Sequence, residues 1–222
     1  TRQGYRVSCI TKEQKDIDYA VAHGIIHSGY TEPRPEILAA AELVVLALYP
    51  HTAVEWMREN QNFLSPGTLV TDVTGVKARF IREMQAFLRT DIEFISAHPM
   101  AGRESSGVEY SNDEVFRGAN YIVVPTDRNT REGIAVCRRL GEILGFGRIS
   151  ELDAESHDRM IAFLSQLTLL NMLLCPLLTM RLICEERQKR TDQLLLTAPA
   201  SVTAVVMGKY LAMLVVLLVP TA

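Results

Sequence analysis

Residues 94–107 read Phe94-Ile95-Ser96-Ala97-His98-Pro99-Met100-Ala101-Gly102-Arg103-Glu104-Ser105-Ser106-Gly107. A short apolar run therefore ends in a histidine, a proline, two glycines and a cluster of polar side chains. This pattern is typical of a buried parallel strand that carries an imidazole to the carboxyl edge of a sheet, where open α/β folds bind their ligands. The alternative is a histidine at an ordinary strand end, and for a lone histidine that would be the better interpretation.

Strand-like and helix-like segments alternate in the part of the chain that leads to this stretch. Residues 6–10, 43–48, 68–73 and 93–97 predict strands, and residues 16–23, 52–60 and 78–88 predict helices. The strands are apolar throughout, which is typical of strands covered on both faces. The sequence therefore predicts an α/β fold with a doubly wound parallel sheet over residues 1–150.

Three successive predicted strands end in polar segments or segments rich in Pro and Gly. These segments are Tyr49-Pro50-His51, Asp72-Val73-Thr74-Gly75-Val76-Lys77 and His98-Pro99-Met100. Because the carboxyl ends of parallel strands meet at one edge of a sheet, we expect all three to line one crevice. One such segment is ordinary loop chemistry, but three in register favour a nucleotide or small-molecule site.

The start of the chain departs from a complete dinucleotide-binding domain. Such a domain opens with a strand and a Gly-x-Gly-x-x-Gly turn that holds a pyrophosphate. Only five residues precede the strand at residues 6–10, so we expect the first strand and the Gly-rich loop to be missing. Thr11 and Lys12 stand where an NAD enzyme usually offers Asp or Glu to the ribose hydroxyls. A hydroxyl beside a cation tolerates a 2′-phosphate, so NAD and NADP are both candidate cofactors.

Composition excludes several other classes of protein. A formal net charge of −3 over 222 residues argues against a nucleic-acid partner, which requires clustered basic charge. The cysteines show no metal-type spacing, so we expect no metal site and buried free thiols in a reducing compartment. We therefore expect residues 1–158 to be cytoplasmic. The four cysteines are Cys9, Cys137, Cys175 and Cys184.

Four stretches match one known family in order and spacing. They are residues 72–77, residues 98–108, Phe116-Arg117-Gly118-Ala119-Asn120-Tyr121-Ile122-Val123-Val124-Pro125, and residues 157–168 with the pair His157-Asp158. With them, residues 4–168 resemble prephenate dehydrogenase, the NAD(P)-dependent enzyme of tyrosine biosynthesis. The resemblance implies oxidative decarboxylation of prephenate or arogenate, in which hydride leaves ring C4 for the nicotinamide and a carboxylate leaves as CO₂. For prephenate the product is 4-hydroxyphenylpyruvate.

The resemblance also implies roles for individual residues. His98 matches the catalytic histidine that accepts the proton of the C4 hydroxyl, and His157 matches a histidine near the substrate pocket. A structural role for His157 beside Asp158 is an equal alternative. Gly75 stands where some relatives carry a serine that touches the same hydroxyl. Expected substrate contacts are Lys77, Gly102, Arg103 and Ser105, and expected cofactor contacts are Thr11, Lys12, Tyr49, Pro50, Asp72 and Thr74.

The family pattern stops at Thr168, where relatives continue into a helical dimerisation domain that supplies an arginine for the substrate carboxylate. We therefore expect residues 151–168 to begin a linker helix and residues 169–222 to form a separate segment. Residues 160–180 carry no charged side chain, and residues 202–222 carry only Lys209. Both runs predict membrane-spanning helices, with a buried helix pair of a soluble domain as the alternative. The homodimer expected for the family would lack its dimerisation domain.

A second resemblance covers the end of the chain. Its carriers are Pro176-Leu177-Leu178-Thr179-Met180-Arg181-Leu182, residues 185–187, residues 194–199 and residues 208–212. From about residue 170 the chain resembles the membrane permease of type-2 ATP-binding-cassette exporters. A transporter fragment with a passenger domain is therefore the alternative function, and a non-catalytic remnant is a third. Without the Gly-rich loop and the substrate arginine, we expect the chain as it stands to be inactive.

Overall fold

A computed structural model gives the fold and describes residues 4–102 and 107–189, together with residues 201, 203, 207, 208, 211 and 212. The chain divides into two units, Thr1–Arg159 and Met160–Ala222. The described strands are β1 (Ser8–Ile10), β2 (Ser28–Tyr30), β3 (Leu43–Leu46), β4 (Leu69–Asp72), β5 (Glu93–Met100), β6 (Asn120–Val124) and β7 (Arg148–Glu151). Within residues 4–102 and 107–189 the α-helices are α1 (Gln14–Ala22), α2 (Pro35–Ala39), α3 (Pro50–Asn60), α4 (Ala78–Gln85), α5 (Arg131–Leu144) and α6 (Ala154–Lys189).

The described strands form two sheets. Strands β1 and β2 pair in parallel, and a second sheet has the order β3-β4-β5-β6-β7. Strands β3, β4 and β5 run parallel to one another, as the sequence predicts, and β6 runs antiparallel to β5. The antiparallel step is possible because the described part of the connection from β5 to β6 contains short 3₁₀ turns rather than a crossover helix. The α/β prediction is confirmed, and the antiparallel strand is a feature that it missed.

Strand β5 is longer than predicted, and this changes the setting of His98. Its first residues pair with β4, and the residues from Ser96 to Met100 pair with β6. His98 lies opposite Ile122 in this antiparallel ladder. His98 therefore belongs to the strand, in the part that extends beyond β4, and does not follow the strand end as predicted.

The core lies around the centre of the larger sheet. Val70, Ile95, Ala97 and Val123 are fully buried, which fixes the strands that lead to the crevice edge. Helix α4 packs Phe80 edge-to-face against Phe94 of β5, with ring centroids 5.8 Å apart. One cluster of buried side chains spans β4, β5, β6 and α5 and comprises Leu69, Ile95, Ala97, Tyr121, Val123, Cys137 and Phe146.

The cysteines whose side chains the structure describes are free thiols, as predicted. Cys9 is partly buried and Cys137 is fully buried. Burial raises the pKa of Cys137 to about 11, so this thiol stays protonated at neutral pH. The side chains of Cys175 and Cys184 lie outside the described residues.

Helix α6 continues beyond Arg159 into the second unit and ends at Lys189. Over the residues that the structure describes, no helix has the length and apolarity needed to cross a membrane. The predicted span over residues 160–180 is therefore not supported. Some side chains within this stretch, that of Cys175 among them, lie outside the described residues. The second predicted span, residues 202–222, falls almost entirely outside the described residues.

Candidate active site

A buried ion pair lies where β4 ends. Lys77 Nζ donates to Asp72 Oδ2 at 2.8 Å and to the carbonyl oxygen of Ala97 at 2.6 Å. The other carboxylate oxygen of Asp72 accepts from the Ser96 hydroxyl at 2.5 Å. Both charged side chains are fully buried. Because unpaired buried charges are costly, this pair holds the end of β4 against β5.

The loop after β4 belongs to the same network. The backbone N–H of Thr74 donates to Asp72 Oδ2 at 2.8 Å, and its hydroxyl donates to the same oxygen at 2.5 Å. Thr74 Oγ1 also accepts from Lys77 Nζ at 3.3 Å. The ammonium of Lys77 is therefore directed at three protein oxygens. Burial lowers its pKa, although the carboxylate of Asp72 opposes that shift.

Two histidines and a carboxylate form a chain of hydrogen bonds beside this pair. His98 Nδ1 lies 2.9 Å from His157 Nε2, and His157 Nδ1 lies 2.9 Å from Asp158 Oδ1. His157 is completely buried, and the first turn of α6 brings it to β5. Asp158 also accepts from the backbone N–H groups of Lys77 and Ala78, each at 2.9 Å. One carboxylate thus holds the start of α4 and orients His157.

This chain fixes the position of the protons on both rings. An ionised carboxylate only accepts, so the ring nitrogen of His157 that faces Asp158 must carry the proton. A neutral His157 then offers Nε2 as an acceptor, and His98 must donate through Nδ1. Neutral His98 therefore keeps an unprotonated Nε2. That nitrogen faces Gly75, since a Cβ built on Gly75 would lie 3.8 Å from it.

The electrostatic setting keeps His98 neutral. Burial is the main cause that lowers the pKa of His98 to about 4, and the positive charge of Lys77 acts in the same direction. For Asp158, burial acts to raise the pKa, but hydrogen bonds from His157 and from the backbone of Ala78 and Lys77 outweigh it and lower the pKa. At neutral pH Asp158 is therefore a carboxylate and His98 a neutral imidazole, which is the form that a general base requires.

The structure gathers some predicted site residues and separates others. One network of hydrogen bonds, joined through Asp158, contains five of the predicted site residues: His98, His157, Asp72, Thr74 and Lys77. Tyr49, 85% exposed, and Pro50 lie at the start of α3, after β3. Gly102 follows β5, whereas Arg103 and Ser105 lie outside the described residues. Thr11 and Lys12 follow β1, in the two-stranded sheet.

The sequence does not predict the roles of two residues in this network, Ser96 and Asp158. Ser96 binds the carboxylate of Asp72, and the only sequence signal is a hydroxyl inside the otherwise apolar run Phe-Ile-Ser-Ala. Asp158 was considered only as a neighbour of His157. Its hold on the start of α4 joins residues 81 positions apart, a contact that no local pattern indicates.

The parallel strands, the loops at their carboxyl ends and the neutral histidine define a Rossmann-like NAD-binding α/β domain. Residues 1–147 match the family model described as prephenate dehydrogenase, nucleotide-binding domain. The chain therefore belongs to the prephenate dehydrogenase family. Residues 139–221 match a second family model, that of ABC-2 family transporter proteins, so both resemblances seen in the sequence are confirmed.

Curated relatives support the family at low identity. A prephenate dehydrogenase of Lactococcus lactis subsp. cremoris is 28% identical over 121 residues, which cover 54% of this chain and 32% of the relative. A prephenate dehydrogenase of Bacillus subtilis is 27% identical over 97 residues, which cover 44% of this chain and 26% of the relative. The chain therefore spans between about a quarter and a third of the length of these relatives.

Solved structures of the same family share the fold. Aquifex aeolicus prephenate dehydrogenase has a TM-score of 0.67 at 27% identity, covering 78% of this chain and 64% of that one. Synechocystis arogenate dehydrogenase has a TM-score of 0.67 at 25% identity, and the match covers 75% of this chain and 58% of the Synechocystis chain. A structure of Aquifex aeolicus prephenate dehydrogenase in complex with hydroxyphenyl propionate and NAD⁺ has a TM-score of 0.63 at 28% identity. The match covers 71% of this chain and 55% of that one.

Proposed function

We propose that residues 1–159 form the NAD(P)-binding and proton-accepting part of a dehydrogenase that oxidatively decarboxylates prephenate or arogenate. The observation that carries the proposal is the chain from Asp158 through His157 to His98. It leaves Nε2 of a neutral His98 free to accept a proton beside the crevice edge. The substrates come from the relatives, among which are a prephenate dehydrogenase and an arogenate dehydrogenase.

In this proposal the base is His98. Its Nε2 accepts the proton of the substrate's ring hydroxyl as that carbon is oxidised. NAD⁺ or NADP⁺, when bound, supplies the hydride acceptor, and the ring carboxylate leaves as CO₂. The positive charge that forms on His98 is stabilised through its Nδ1–H bond to His157, which in turn donates to Asp158. His157 therefore acts as a positioning residue as well as a proton carrier.

Lys77 contributes through its charge rather than through exposed hydrogen bonds. Its ammonium lies between Asp72 and the Ala97 carbonyl, and its positive charge helps to keep His98 neutral. We propose that the same charge attracts the carboxylates of the substrate, while Gly102, Arg103 and Ser105 contact it beyond β5. The substrate contact of Lys77 stays a prediction, because its ammonium is directed at protein oxygens.

The cofactor site is proposed along the carboxyl ends of the strands. Thr11 and Lys12 after β1 suit the adenosine ribose, and Asp72 and Thr74 after β4 suit the nicotinamide end. Tyr49 and Pro50 are proposed contacts between them. The small Gly75 fits this assignment, since it leaves open space beside His98 Nε2. The sequence contains no Gly-x-Gly-x-x-Gly run, so we assign no residue to the pyrophosphate.

Two measurements test the proposal. The first is calorimetric titration of the purified protein with NAD⁺ and NADP⁺, followed by absorbance assays of dinucleotide reduction with prephenate or arogenate. The second is ¹⁵N NMR of the imidazoles at neutral pH, which should show His98 protonated at Nδ1 and unprotonated at Nε2. A protein that binds neither dinucleotide, or a His98 protonated at Nε2, would refute the proposal.

A pair of variants isolates the base. We expect His98→Gln to lower any turnover by roughly 10²–10⁴-fold, the usual contribution of a general base. His23→Gln is the matched control, because His23 is exposed at the end of α1, where its ring stacks on Tyr19. Equal rates in the two variants would show that His98 is not the base.

We propose a cytoplasmic homodimer as the working state of the dehydrogenase, which size-exclusion chromatography checks.

The match of residues 139–221 to ABC-2 transporter proteins favours a second candidate for the end of the chain. We propose that residues from about 169 onward derive from an exporter permease and that the dehydrogenase domain is joined to it. Sequencing across the codons for Thr168 and Leu169 in independent source DNA tests this join. A continuous reading frame supports a fused protein, and reads that diverge there reject it.

A further inference from the structure

Ser96 lies two residues before the proposed base, in the part of β5 where the strand changes its partner. We propose that the Ser96 hydroxyl is a positioning group for His98 and acts through the buried pair of Asp72 and Lys77. This inference rests on the proposed function and adds a residue to its site.

The strand pairing explains why β5 needs support at this point. The described ladder between β4 and β5 ends with Thr71 opposite Ile95, and Ser96 is the first residue of β5 that pairs with β6. Side chains then take the place of the β4 main chain. The backbone N–H of Ala97 donates to Asp72 Oδ1 at 3.3 Å, and the Ala97 carbonyl accepts from Lys77 Nζ at 2.6 Å. Because Ala97 is fully buried, both of its backbone polar groups require such partners.

These contacts close a ring of hydrogen bonds. The Ser96 hydroxyl donates to Asp72 Oδ1 at 2.5 Å, and Asp72 Oδ2 accepts from Lys77 Nζ at 2.8 Å. Lys77 then donates to the carbonyl of Ala97, the residue that follows Ser96. The ring therefore leaves β5 through the side chain of Ser96 and returns to its main chain one residue later, so a change at one member reaches the others.

The ring acts on His98 through a peptide plane. The Ala97 carbonyl and the His98 nitrogen belong to the same planar unit, so the bond from Lys77 fixes the orientation of the backbone that carries the imidazole. On the other side of β5, His98 pairs with Ile122. The imidazole itself is held by His157 at 2.9 Å. A shift of the peptide would therefore strain the bond between the two histidines and move Nε2 of the base.

The hydroxyl of Ser96 is the contact on which the orientation of Asp72 depends most. Bonds between a hydroxyl and a carboxylate are short and strong, and this one is much shorter than the other described bond to Oδ1, from the Ala97 N–H. Without the hydroxyl, Oδ1 keeps only that weaker donor among the described contacts. A buried carboxylate is costly unless it is hydrogen-bonded, so we expect Asp72 to turn towards Ala97 and to draw Lys77 with it.

The first measurement is turnover. Ser96→Ala should lower kcat for dinucleotide reduction by about 10- to 100-fold, since a misplacement of about 1 Å can cost about 10²-fold, and should leave KM nearly unchanged. Thr68→Val is the matched control. It removes a buried hydroxyl that donates to the Ala41 carbonyl at 3.0 Å, just before β4 and at the opposite end of that strand. This variant should lose a similar amount of thermal stability and keep the kcat of the unaltered protein.

The second measurement does not require activity. We expect ¹⁵N NMR to show shifted or broadened imidazole signals of His98 in Ser96→Ala and unchanged signals in Thr68→Val. Ser96→Thr keeps a hydroxyl on the same carbon and should restore the signals of the unaltered protein.

The outcomes separate the positioning role from the reaction. Unchanged kcat and His98 signals in Ser96→Ala, or equal changes in Thr68→Val, would overturn the inference and leave the proposed dehydrogenase intact. A raised KM at constant kcat would also overturn it, because Ser96 would then affect ligand binding alone. Shifted His98 signals only in Ser96→Ala, in a protein that oxidises neither prephenate nor arogenate, would support the positioning of His98 and reject the reaction.

Discussion

Replacing Asp158 by asparagine should change both the stability of the domain and the proton arrangement at His98. Three N–H groups share the two carboxylate oxygens of Asp158: His157 Nδ1 and the backbone nitrogens of Lys77 and Ala78. An asparagine offers one acceptor oxygen and one NH₂ group, so at least one of these donors must face another donor.

The magnitude follows from that count. A buried donor without a partner costs about 1–3 kcal/mol. The Asp158 side chain is 34% exposed, so water replaces part of the lost bonding. We therefore expect Asp158→Asn to lower the free energy of unfolding by about 1–2 kcal/mol.

The second effect is a reversal of tautomers. When the new NH₂ group faces His157, that ring must accept through Nδ1 and carry its proton on Nε2. His98 must then accept through Nδ1, and its own proton moves to Nε2, where it blocks the base. We expect ¹⁵N NMR of Asp158→Asn to show His98 protonated at Nε2 in a substantial fraction of molecules, and any turnover to fall at least in proportion to that fraction.

Asp153→Asn is the matched control. Asp153 immediately precedes α6, and its carboxylate accepts from the backbone N–H of Ser156 at 2.9 Å rather than from an imidazole of the network. It should cost a similar or smaller amount of stability and leave the His98 tautomer unchanged. Identical imidazole spectra in Asp158→Asn and the unaltered protein would refute the reasoning, because the carboxylate would then not set the tautomers.

Three further predictions concern Lys77, two glycines and the pH dependence of stability. Lys77→Met should lower the unfolding free energy by about 3–5 kcal/mol in urea denaturation, because it leaves the buried Asp72 charge unpaired; an unchanged midpoint would contradict this. Gly75→Ser should change stability by less than about 1 kcal/mol, since its Cβ has room, whereas Gly141→Ala should cost about 1–3 kcal/mol, because its Cβ would meet a ring carbon at 2.7 Å; thermal melts compare the two. The pKa of His98 is about 4 in the folded protein and near its ordinary value of 6.5 in the unfolded chain, so its contribution to stability is full above pH 6.5 and is lost as the pH falls towards 4. Denaturation at several pH values should show that loss, and His98→Gln should reduce it.

The sequence predicts best those elements whose residues carry a pattern of their own. Strands β4 and β5 stand out as continuous apolar runs because their residues are buried on both faces. Strand β3 has the same kind of run, although Val45 is exposed. Strand β2 escapes prediction, because Ser28-Gly29-Tyr30 has neither an apolar run nor an alternating pattern. The length of β5 also escapes prediction. Its last residues pair with β6, which lies about 20 residues further along the chain, and a local sequence pattern does not indicate that pairing.

The site was predictable as far as individual residues match a motif. His98, Lys77 and Asp72 were identified from strand ends and a family pattern, and the structure places them in one network. The fully buried state of Lys77 and the role of Asp158 depend on contacts between distant segments, so no spacing rule predicts them. Of the two predicted membrane spans, the one over residues 160–180 is not supported by the described part of the chain, and the one over residues 202–222 stays a prediction.

The exposure of Asp158 has a consequence for where the released proton goes. A crevice filled by two ligands leaves little room for bulk water, yet the proton taken up at Nε2 must leave before the next turnover. His98 can pass its Nδ1 proton to His157 while His157 passes its own to Asp158, so conduction through two rings reaches a carboxylate in contact with solvent. The proton then leaves by a route different from the one by which the ligands enter. A proton inventory, in which turnover is measured in mixtures of H₂O and D₂O, should show that more than one proton is transferred in the rate-limiting step. A single-proton inventory would show that the proton leaves directly through the crevice.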